Sequence, residues 1–230
     1  MPIDLISKLP TFSDFTLIFI WTVPDTESAP IAEVGLEIIP VLGADGVLYL
    51  DYLTWDGIPK VIFSRPARRG KMWRKAWITG LDHFGTWAEV PFRISQDEGR
   101  GLLIQGSREW TDYRVGADVT PQLIKSGGIA ARVQGLRRFY ALMLSERGKV
   151  RLIKGLDGDR ILAEANFPWQ IGKTYHLDLS VIGDRLQGEV DGRLLFDIHD
   201  IERPLLSGCV ALACEEGCFS TNSIYVAPIG

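Results

Sequence analysis

The sequence contains only three cysteines, Cys209, Cys214 and Cys218, and all of them lie near the C-terminus. Three thiols cannot all pair within one chain, and a zinc site built on them would lack its fourth ligand because no histidine lies close by. We therefore expect buried or half-buried free thiols, with a metal or redox role as the alternative. Free thiols are typical of a reducing compartment, which predicts a cytoplasmic protein.

An excess of positive charge is also missing. The chain has 25 Lys and Arg against 29 Asp and Glu, a net charge of −4, whereas a nucleic-acid binder draws most of its affinity from basic side chains on phosphates. We therefore predict no nucleic-acid partner. Six basic residues are concentrated within residues 65–75, together with a proline and a glycine. This composition predicts a solvated basic linker over residues 67–75.

Long hydrophobic runs are absent as well. The longest run, Phe15–Val23, lies between Asp14 and Asp25. It is much shorter than the roughly 20 apolar residues that a membrane-spanning helix needs. The sequence therefore predicts a buried strand at this position and no membrane partner.

Helical periodicity is almost absent, because 12 prolines and 24 glycines interrupt the apolar runs throughout the chain. Apolar and polar residues alternate in Tyr113–Val119, Tyr175–Val181 and Arg185–Val190, which gives each strand one inner and one outer face. Predicted hairpin turns occupy residues 146–149, 156–159, 182–184 and 190–192. Short alternating strands joined by tight turns predict an all-β fold of two packed antiparallel sheets over residues 76–230.

The first 66 residues contain three good strand patterns, Phe15–Val23, Ile31–Ile39 and Gly46–Leu53. Three strands cannot close a sandwich, and a small isolated sheet is only marginally stable. We therefore predict a partial β-sandwich over residues 1–66, whose first half would lie upstream in a longer protein. The alternative is that these strands pack onto the domain that follows.

Six segments of the second domain together resemble a known family. They are Trp110–Val119, Gly128–Gly135, Phe139–Leu144, Val150–Lys154, Gly172–Gly192 and Gly208–Cys214. Their succession resembles the concanavalin A-like lectin/glucanase fold, in its laminin-G-type branch. The resemblance implies an antiparallel jelly roll, a fold that hosts lectins, glycosidases and adhesion modules and therefore does not by itself select a function.

Three further segments, Pro30–Ile38, Leu48–Gly57 and Arg100–Tyr113, are similar to the C-terminal accessory region of bacterial ADP-ribosylglycohydrolase-family proteins. This resemblance implies a carbohydrate-binding-module-like first domain and a non-catalytic role beside an upstream catalytic domain in cis. It also implies a glycan, sugar-nucleotide or ADP-ribose-like ligand. The helical catalytic domain of that family has no counterpart in this chain, so the resemblance transfers no catalytic residue.

A catalytic pair of acids is not evident in the sequence. Glycosidases of the resembled fold commonly carry the pattern E-x-D-x-x-E, which supplies a nucleophile and a proton donor. The nearest match is Glu189 and Asp191, but its third position is Leu194, and Asp191 precedes a glycine in a predicted turn. We therefore predict no catalytic residue. The alternatives are a glycoside hydrolase whose acids lie on different strands and a purely structural interaction domain.

Metal ligands are similarly sparse. Asp157 and Asp159 offer oxygen atoms for calcium, but they lack the further ligands of an EF-type loop. The Leu156–Asp159 segment is therefore interpreted as a turn, and no cofactor is predicted.

One strand offers a candidate ligand site. In residues 129–133 the apolar side chains at odd positions are predicted to share one face, so Arg132 and Gln134 would project from the other. Aromatic and basic side chains on neighbouring segments would complete a platform for a ligand. The predicted ligand-binding residues are Arg132, Gln134, Tyr140, Lys154 and Trp110. The alternative is that Arg132 pairs with an acid such as Asp118 or Glu164 on the sheet surface.

Overall fold

The computed structural model describes residues 57–66, 70, 72–87 and 90–229, together with the isolated positions 20, 47, 49, 50, 53 and 54. The strands predicted over Phe15–Val23, Ile31–Ile39 and Gly46–Leu53 lie outside the described residues or extend into them only at single positions. The predicted partial β-sandwich over residues 1–66 therefore stays a prediction.

The described part of the chain consists of strands and one short 3₁₀ helix, Met72–Ala76. The strands are β1 (Val61–Ser64), β2 (Ile78–Thr79), β3 (His83–Trp87), β4 (Val90–Gln105), β5 (Tyr113–Gly135), β6 (Arg138–Ser145), β7 (Lys149–Leu156), β8 (Asp159–Asn166), β9 (Tyr175–Ile182), β10 (Arg185–Val190), β11 (Arg193–His199), β12 (Cys209–Thr221) and β13 (Ser223–Pro228). Every strand pairing is antiparallel. The predicted all-β antiparallel fold is confirmed.

The strands form two sheets that share β5. Sheet A has the order β11-β10-β9-β5-β13-β1. Sheet B has the order β8-β7-β6-β5-β12-β4, and the short strands β2 and β3 pair with the outer side of β4. Residues 113–119 of β5 pair with β9 in sheet A, and residues 126–135 pair with β6 in sheet B. One 23-residue strand thus crosses between the two layers of the sandwich.

Strand β1, which precedes the predicted boundary between residues 66 and 67, joins the sandwich that follows, whereas the division into two domains stays a prediction. All four residues of β1 pair in register with β13. Trp73, inside the predicted linker 67–75, is buried and packs edge-on against Phe84 and Phe92. Strand pairing and core packing therefore cross the predicted boundary.

The apolar faces predicted from alternation form the core between the sheets. The inward-facing residues of β5, β9 and β10 are Tyr113, Val115, Ala117, Val119, Tyr175, Leu177, Leu179, Val181, Leu186 and Val190. All of them are at most 2% exposed. The turn prediction is confirmed at residues 190–192, where Asp191 and Gly192 have φ angles of 51° and 74°, the positive values that a type I′ turn requires.

The cysteines follow the sequence prediction. Cys209 and Cys214 are buried, Cys218 is half-buried, and all three are free thiols. Burial raises the pKa of the Cys214 thiol to about 12. Cys214 therefore behaves as a small core residue rather than as a nucleophile.

Sheet B is rolled so strongly that its two ends meet. Arg100 on β4 forms an ion pair of 2.7 Å with Asp159 at the start of β8, although β12, β5, β6 and β7 lie between them in the pairing order. In a flat sheet these two strands would be about 24 Å apart, which is farther than the two side chains can reach. The outer face of sheet B is therefore concave, with Arg100 and Asp159 facing each other across it.

The concave face carries a second apolar cluster, separate from the core between the sheets. Its members are Leu102, Ile104, Ala130, Val133, Phe139, Ala141, Met143, Ile153, Cys209, Ala211 and Ala213, all of them buried. Alanines occupy the middle strands β5, β6 and β12, and the larger side chains surround them. Rolling crowds the concave side of a sheet, so small residues at its centre permit the curvature.

Candidate functional site

All five predicted ligand-binding residues converge on one loop, residues 200–208, which connects β11 to β12. The Arg132 guanidinium donates to the Leu205 carbonyl at 2.7 Å, and the Gln134 side chain donates to the Ser207 carbonyl at 2.9 Å. The Tyr140 hydroxyl accepts from the Leu205 backbone N–H at 2.9 Å. The loop of the chain itself thus occupies the hydrogen-bonding groups that were expected to face a ligand.

Arg132 does not project outward, contrary to the sequence prediction. The β5–β6 register shifts between Ala131 and Gly135, and Arg132 has a φ of 49°. Because of this irregularity, Ala131 enters the core between the sheets and Val133 enters the concave cluster. The prediction that they share one face was therefore wrong. A bulge of this kind re-aims the side chain at its own position.

The Arg132 side chain is fully buried and acts as an internal cross-link. Its guanidinium donates to the carbonyls of Thr111, Gly183 and Leu205 and to the Asp112 carboxylate, the last at 3.0 Å. The predicted acid partners Asp118 and Glu164 are not the ones used. Burial lowers the pKa of the guanidinium, and nearby phenolic and carboxyl groups partly oppose that shift. Arg132 therefore ties the β5 bulge to three connecting segments, which precede β5, join β9 to β10 and join β11 to β12.

Tyr140 and Lys154 lie opposite each other on β6 and β7 and share one acceptor, Asp200. The Tyr140 hydroxyl and the Lys154 ammonium each donate to Asp200 Oδ2 at 2.5 Å. Lys154 also donates to the carbonyls of Glu202 and Arg203. Lys154 and Asp200 are 3% and 5% exposed, so this is a buried ion pair with its hydrogen bonds satisfied. Its structural effect is to hold the 200–208 loop against the sandwich.

Trp110 and Gln134 are only half-buried. The Trp110 ring packs edge-on against Tyr113 at 6.1 Å, and its carbonyl accepts from the Gly208 N–H. The five residues are therefore neighbours, but they form no open platform, since Arg132, Tyr140 and Lys154 are buried with partners. Ligand binding by these residues stays a prediction, and a ligand would have to displace the 200–208 loop to reach three of them.

Two depressions open on the concave side of sheet B, one on each side of the Arg100–Asp159 pair. The first has a volume of about 210 Å³ and is lined by Arg100, Lys125, Ser126, Glu146, Arg151, Ile153, Asp159, Ile161 and Glu215. The second has a volume of about 290 Å³ and is lined by Arg100, Leu136, Arg137, Phe139, Asp157, Gly158 and Asp159. Sequence reasoning missed this site because nothing local in the sequence predicts that β4 and β8 meet.

The charges of the first depression are internally balanced. Three basic and three acidic side chains line it. Arg100 pairs with Glu215 at 2.7 Å, Lys125 pairs with the same carboxylate at 3.1 Å, and Arg151 pairs with Glu164 at 2.7 Å. Burial alone would raise the pKa of Glu215, but the Arg100 and Lys125 bonds outweigh it and hold that pKa below its usual range. Such a surface offers many donors and acceptors without a net charge.

A second polar cluster lies on the outer face of sheet A. His176 bonds Asp118 through Nδ1 at 2.6 Å and Asp178 through Nε2 at 3.1 Å. Its ring stacks on Tyr225, whose hydroxyl donates to Asp178. Burial lowers the pKa of His176, but the bonds to and charges of Asp118 and Asp178 outweigh it, so the pKa lies above its ordinary value.

This histidine predicts a pH dependence of stability. A raised pKa means that the folded protein gains stability below the unfolded pKa near 6.5 and loses it as the pH rises through the folded pKa. The His176 side chain is 39% exposed, so solvent screens the effect. We expect the melting-temperature gap between wild type and His176→Gln to be roughly 1–3 °C larger at pH 5.5 than at pH 8.5. His199→Gln, which removes a more exposed histidine paired with Asp184 alone, is the control. Equal gaps at both pH values would contradict the prediction.

The described part of the chain contains neither a metal-binding cluster nor a membrane-spanning helix. No group of three or more His, Cys, Asp or Glu side chains in this part of the chain is arranged to hold a metal ion. No helix among the same residues is long and apolar enough to cross a membrane.

Comparison with known protein sequences gives one partial match. No family model matches the chain. Galactocerebrosidase of Danio rerio is 31% identical over 134 residues, which is 54% of this chain and 20% of that protein. The chain thus spans about a fifth of the length of this curated relative.

Two solved structures share the architecture. The carbohydrate-binding module CBM66 from Bacillus subtilis has a TM-score of 0.61 at 20% identity, covering 66% of this chain and 95% of that one. A protein of unknown function with a galectin-like fold, also from Bacillus subtilis, has a TM-score of 0.52 at 15% identity, covering 70% and 92%. The predicted lectin-like jelly roll is confirmed at the level of the fold. The association with ADP-ribosylglycohydrolases stays a prediction.

Proposed function

We propose that this chain is a non-catalytic carbohydrate-binding module. The observation that carries the proposal is the match to CBM66, which extends over 95% of that chain. The similarity thus covers nearly a whole binding module rather than a fragment of an enzyme. The galectin-like fold of the second structure agrees with this proposal. A position beside a hydrolase domain in cis, as the sequence resemblance implies, is part of the same proposal.

The depressions on the concave side of sheet B are the proposed binding site. Hydroxyl groups of a sugar both donate and accept hydrogen bonds, and the paired carboxylates, guanidinium groups and ammonium group of the first depression match that requirement. Ile153 and Ile161 add aliphatic surface for the C–H side of a sugar ring. Because Arg100, Lys125 and Arg151 already have carboxylate partners, an uncharged saccharide suits the site better than the diphosphate of ADP-ribose.

The carboxyl groups argue for binding rather than hydrolysis. A glycosidase needs one acid whose pKa is raised so that it carries a proton at neutral pH. Each carboxyl group with a shifted pKa in the described part of the chain is shifted downward, and these groups are Glu164, Asp184, Asp197 and Glu215. None of these four carboxyl groups therefore has the raised pKa that a glycosidase proton donor requires. Glu189 and Asp191 are the nearest sequence match to a catalytic pair. Glu189 lies near the end of β10, and Asp191 lies in the hairpin turn that follows, where it accepts from the His176 backbone N–H.

Calorimetric titration tests the proposal. The Danio rerio relative is named for a galactoside, so galactose and β-1,4-galactotetraose are the first probes, followed by glucose, cellotetraose, sialyllactose and ADP-ribose. We expect the uncharged saccharides of at least one series, galactose with galactotetraose or glucose with cellotetraose, to bind with a Kd of about 1 mM or tighter. We also expect the chain to release no nitrophenol from nitrophenyl glycosides.

The other outcomes of this screen are decisive as well. If ADP-ribose were the only probe that bound, the proposed ligand would be ADP-ribose-like rather than a neutral sugar. Turnover that Glu189→Gln or Glu146→Gln abolishes would establish the hydrolase alternative. The absence of binding to every saccharide would contradict the proposed function and favour an interaction domain.

A further inference from the structure

The Arg100–Asp159 ion pair lies across the middle of the proposed site. The Arg100 side chain is 13% exposed, whereas Asp159 is 55% exposed. Asp159 directly follows a hairpin turn in which Asp157 and Gly158 have φ angles of 57° and 147°. Arg100 is also held from the other side by Glu215 at 2.7 Å. Opening of the pair therefore requires movement of the exposed Asp159 side chain, while Arg100 stays anchored.

The two depressions have this ion pair in common. Arg100 and Asp159 are the residues that line both of them. At about 210 and 290 Å³, each is smaller than the usual ligand pocket of about 300–1,000 Å³. Joined into one groove, they would fall within that range.

Arg100 has an unused hydrogen-bond donor. Its Nη1 and Nη2 groups bond Asp159 and Glu215, but its Nε is buried and has no hydrogen-bond partner among the described residues. A buried donor without an acceptor is unfavourable. The guanidinium plane lies over the Phe139 ring, with a distance of 5.8 Å from Cζ to the ring centroid. Because Nε is buried, the donor that Arg100 offers to an incoming hydroxyl group is Nη1, which separation from Asp159 frees.

We propose that the two depressions are halves of one groove, and that a linear neutral oligosaccharide binds along it by displacing Asp159 from Arg100. The proposal rests on the proposed carbohydrate function and deepens it to an oligosaccharide site with Arg100 at its centre. A sugar hydroxyl accepts from the Arg100 guanidinium in place of the Asp159 carboxylate. The released carboxylate then accepts from a second hydroxyl, so no charge is left unsolvated.

The first test removes the charge of Asp159 and keeps the Arg100–Glu215 bond. The apparent affinity of a site that must open is reduced by the fraction of molecules that are open. An exposed ion pair restrains opening only weakly, so we expect Asp159→Asn to bind the tetrasaccharide of the active series about two- to fivefold tighter. Binding of the corresponding monosaccharide, which fits one half without opening of the pair, should change less than binding of the tetrasaccharide. One tetrasaccharide is expected per chain.

The matched control is Glu202→Gln. It removes another exposed arginine–carboxylate pair, Arg160–Glu202, whose residues do not line either depression. It should bind both probes like the wild type. Equal affinities of Asp159→Asn, Glu202→Gln and wild type, or two tetrasaccharides per chain, would overturn the groove while leaving carbohydrate binding intact.

A second variant tests the shared contact. Arg100→Lys retains a positive charge beside Glu215 but lacks the planar set of donors. We expect Arg100→Lys to weaken binding of both the monosaccharide and the tetrasaccharide about tenfold or more. Its melting temperature, measured in parallel, shows whether the variant is folded. Unchanged binding by a folded Arg100→Lys variant would contradict the role of Arg100. If the wild type itself binds no saccharide, the proposed function is wrong, and the proposal of an oligosaccharide groove is wrong as well.

Discussion

Replacement of Lys154 with methionine is expected to lower the free energy of unfolding by about 3–5 kcal/mol. The ammonium group is buried and is the cationic partner of Asp200, which is 5% exposed. Without it, the Asp200 carboxylate loses its cationic partner but keeps the Tyr140 hydroxyl, and the carbonyls of Glu202 and Arg203 lose a donor. An unpaired buried charge is far more costly than the loss of an exposed ion pair. Urea denaturation at constant m-value measures the change.

Two companion variants make this result specific. Lys149→Met changes a lysine on the same strand β7 that is 31% exposed and paired with Glu164, so its cost should be below about 1 kcal/mol. Combining Lys154→Met with Asp200→Leu removes both charges and should recover part of the lost stability. If Lys154→Met were no more destabilising than Lys149→Met, the buried ion pair would not be holding the 200–208 loop.

Replacement of Arg132 with alanine is expected to be similarly severe, about 3–5 kcal/mol. The side chain is fully buried, and its removal leaves the carbonyls of Thr111, Gly183 and Leu205 without their donor. It also leaves a cavity at the end of the sandwich. For a chain of this size the melting temperature should fall by roughly 10 °C. Amide hydrogen exchange at Leu205 should accelerate more than exchange in β9, because the loop loses its attachment first.

Arg114→Ala is the matched control for this prediction. Arg114 lies on the same strand β5, but it is exposed, and its Nε donates to Ser180 at 3.1 Å. Its replacement should cost less than about 1 kcal/mol. Arg132→Lys should be intermediate, because a lysine keeps the charge but cannot reach acceptors in several directions. Similar melting temperatures for Arg132→Ala and Arg114→Ala would contradict the cross-linking role.

The sequence predicts those parts of the fold that depend on regular geometry. Alternation along Tyr175–Val181 identified the buried face, because successive side chains of any strand point to opposite sides. The Asp191–Gly192 turn was predictable because few residues adopt a positive φ. The free state of the cysteines followed from their number and spacing. In each case the decisive interaction is within a few residues along the chain.

The candidate site was less predictable, and Arg132 shows why. Alternation assumes an unbroken pleat, but the register shift between Ala131 and Gly135 reverses the faces at this point. The residue types Arg, Tyr and Lys were correctly grouped in space, since they share the 200–208 loop. The sequence did not predict that this loop, rather than a ligand, would be their partner, because hydrogen-bonding groups suited to a ligand suit an internal loop equally well.

By itself, the sequence determined the all-β class, the inward faces of the regular strands β9 and β10 and the turns, because these follow from side-chain periodicity and local backbone preferences. Only the tertiary structure decided that β5 belongs to both sheets and that sheet B rolls until Arg100 meets Asp159, 59 residues later in the chain. It also decided that Tyr140 and Lys154 face Asp200 rather than solvent. The physical reason is that curvature and loop placement minimise the energy of the whole packed sandwich, so no short segment encodes them.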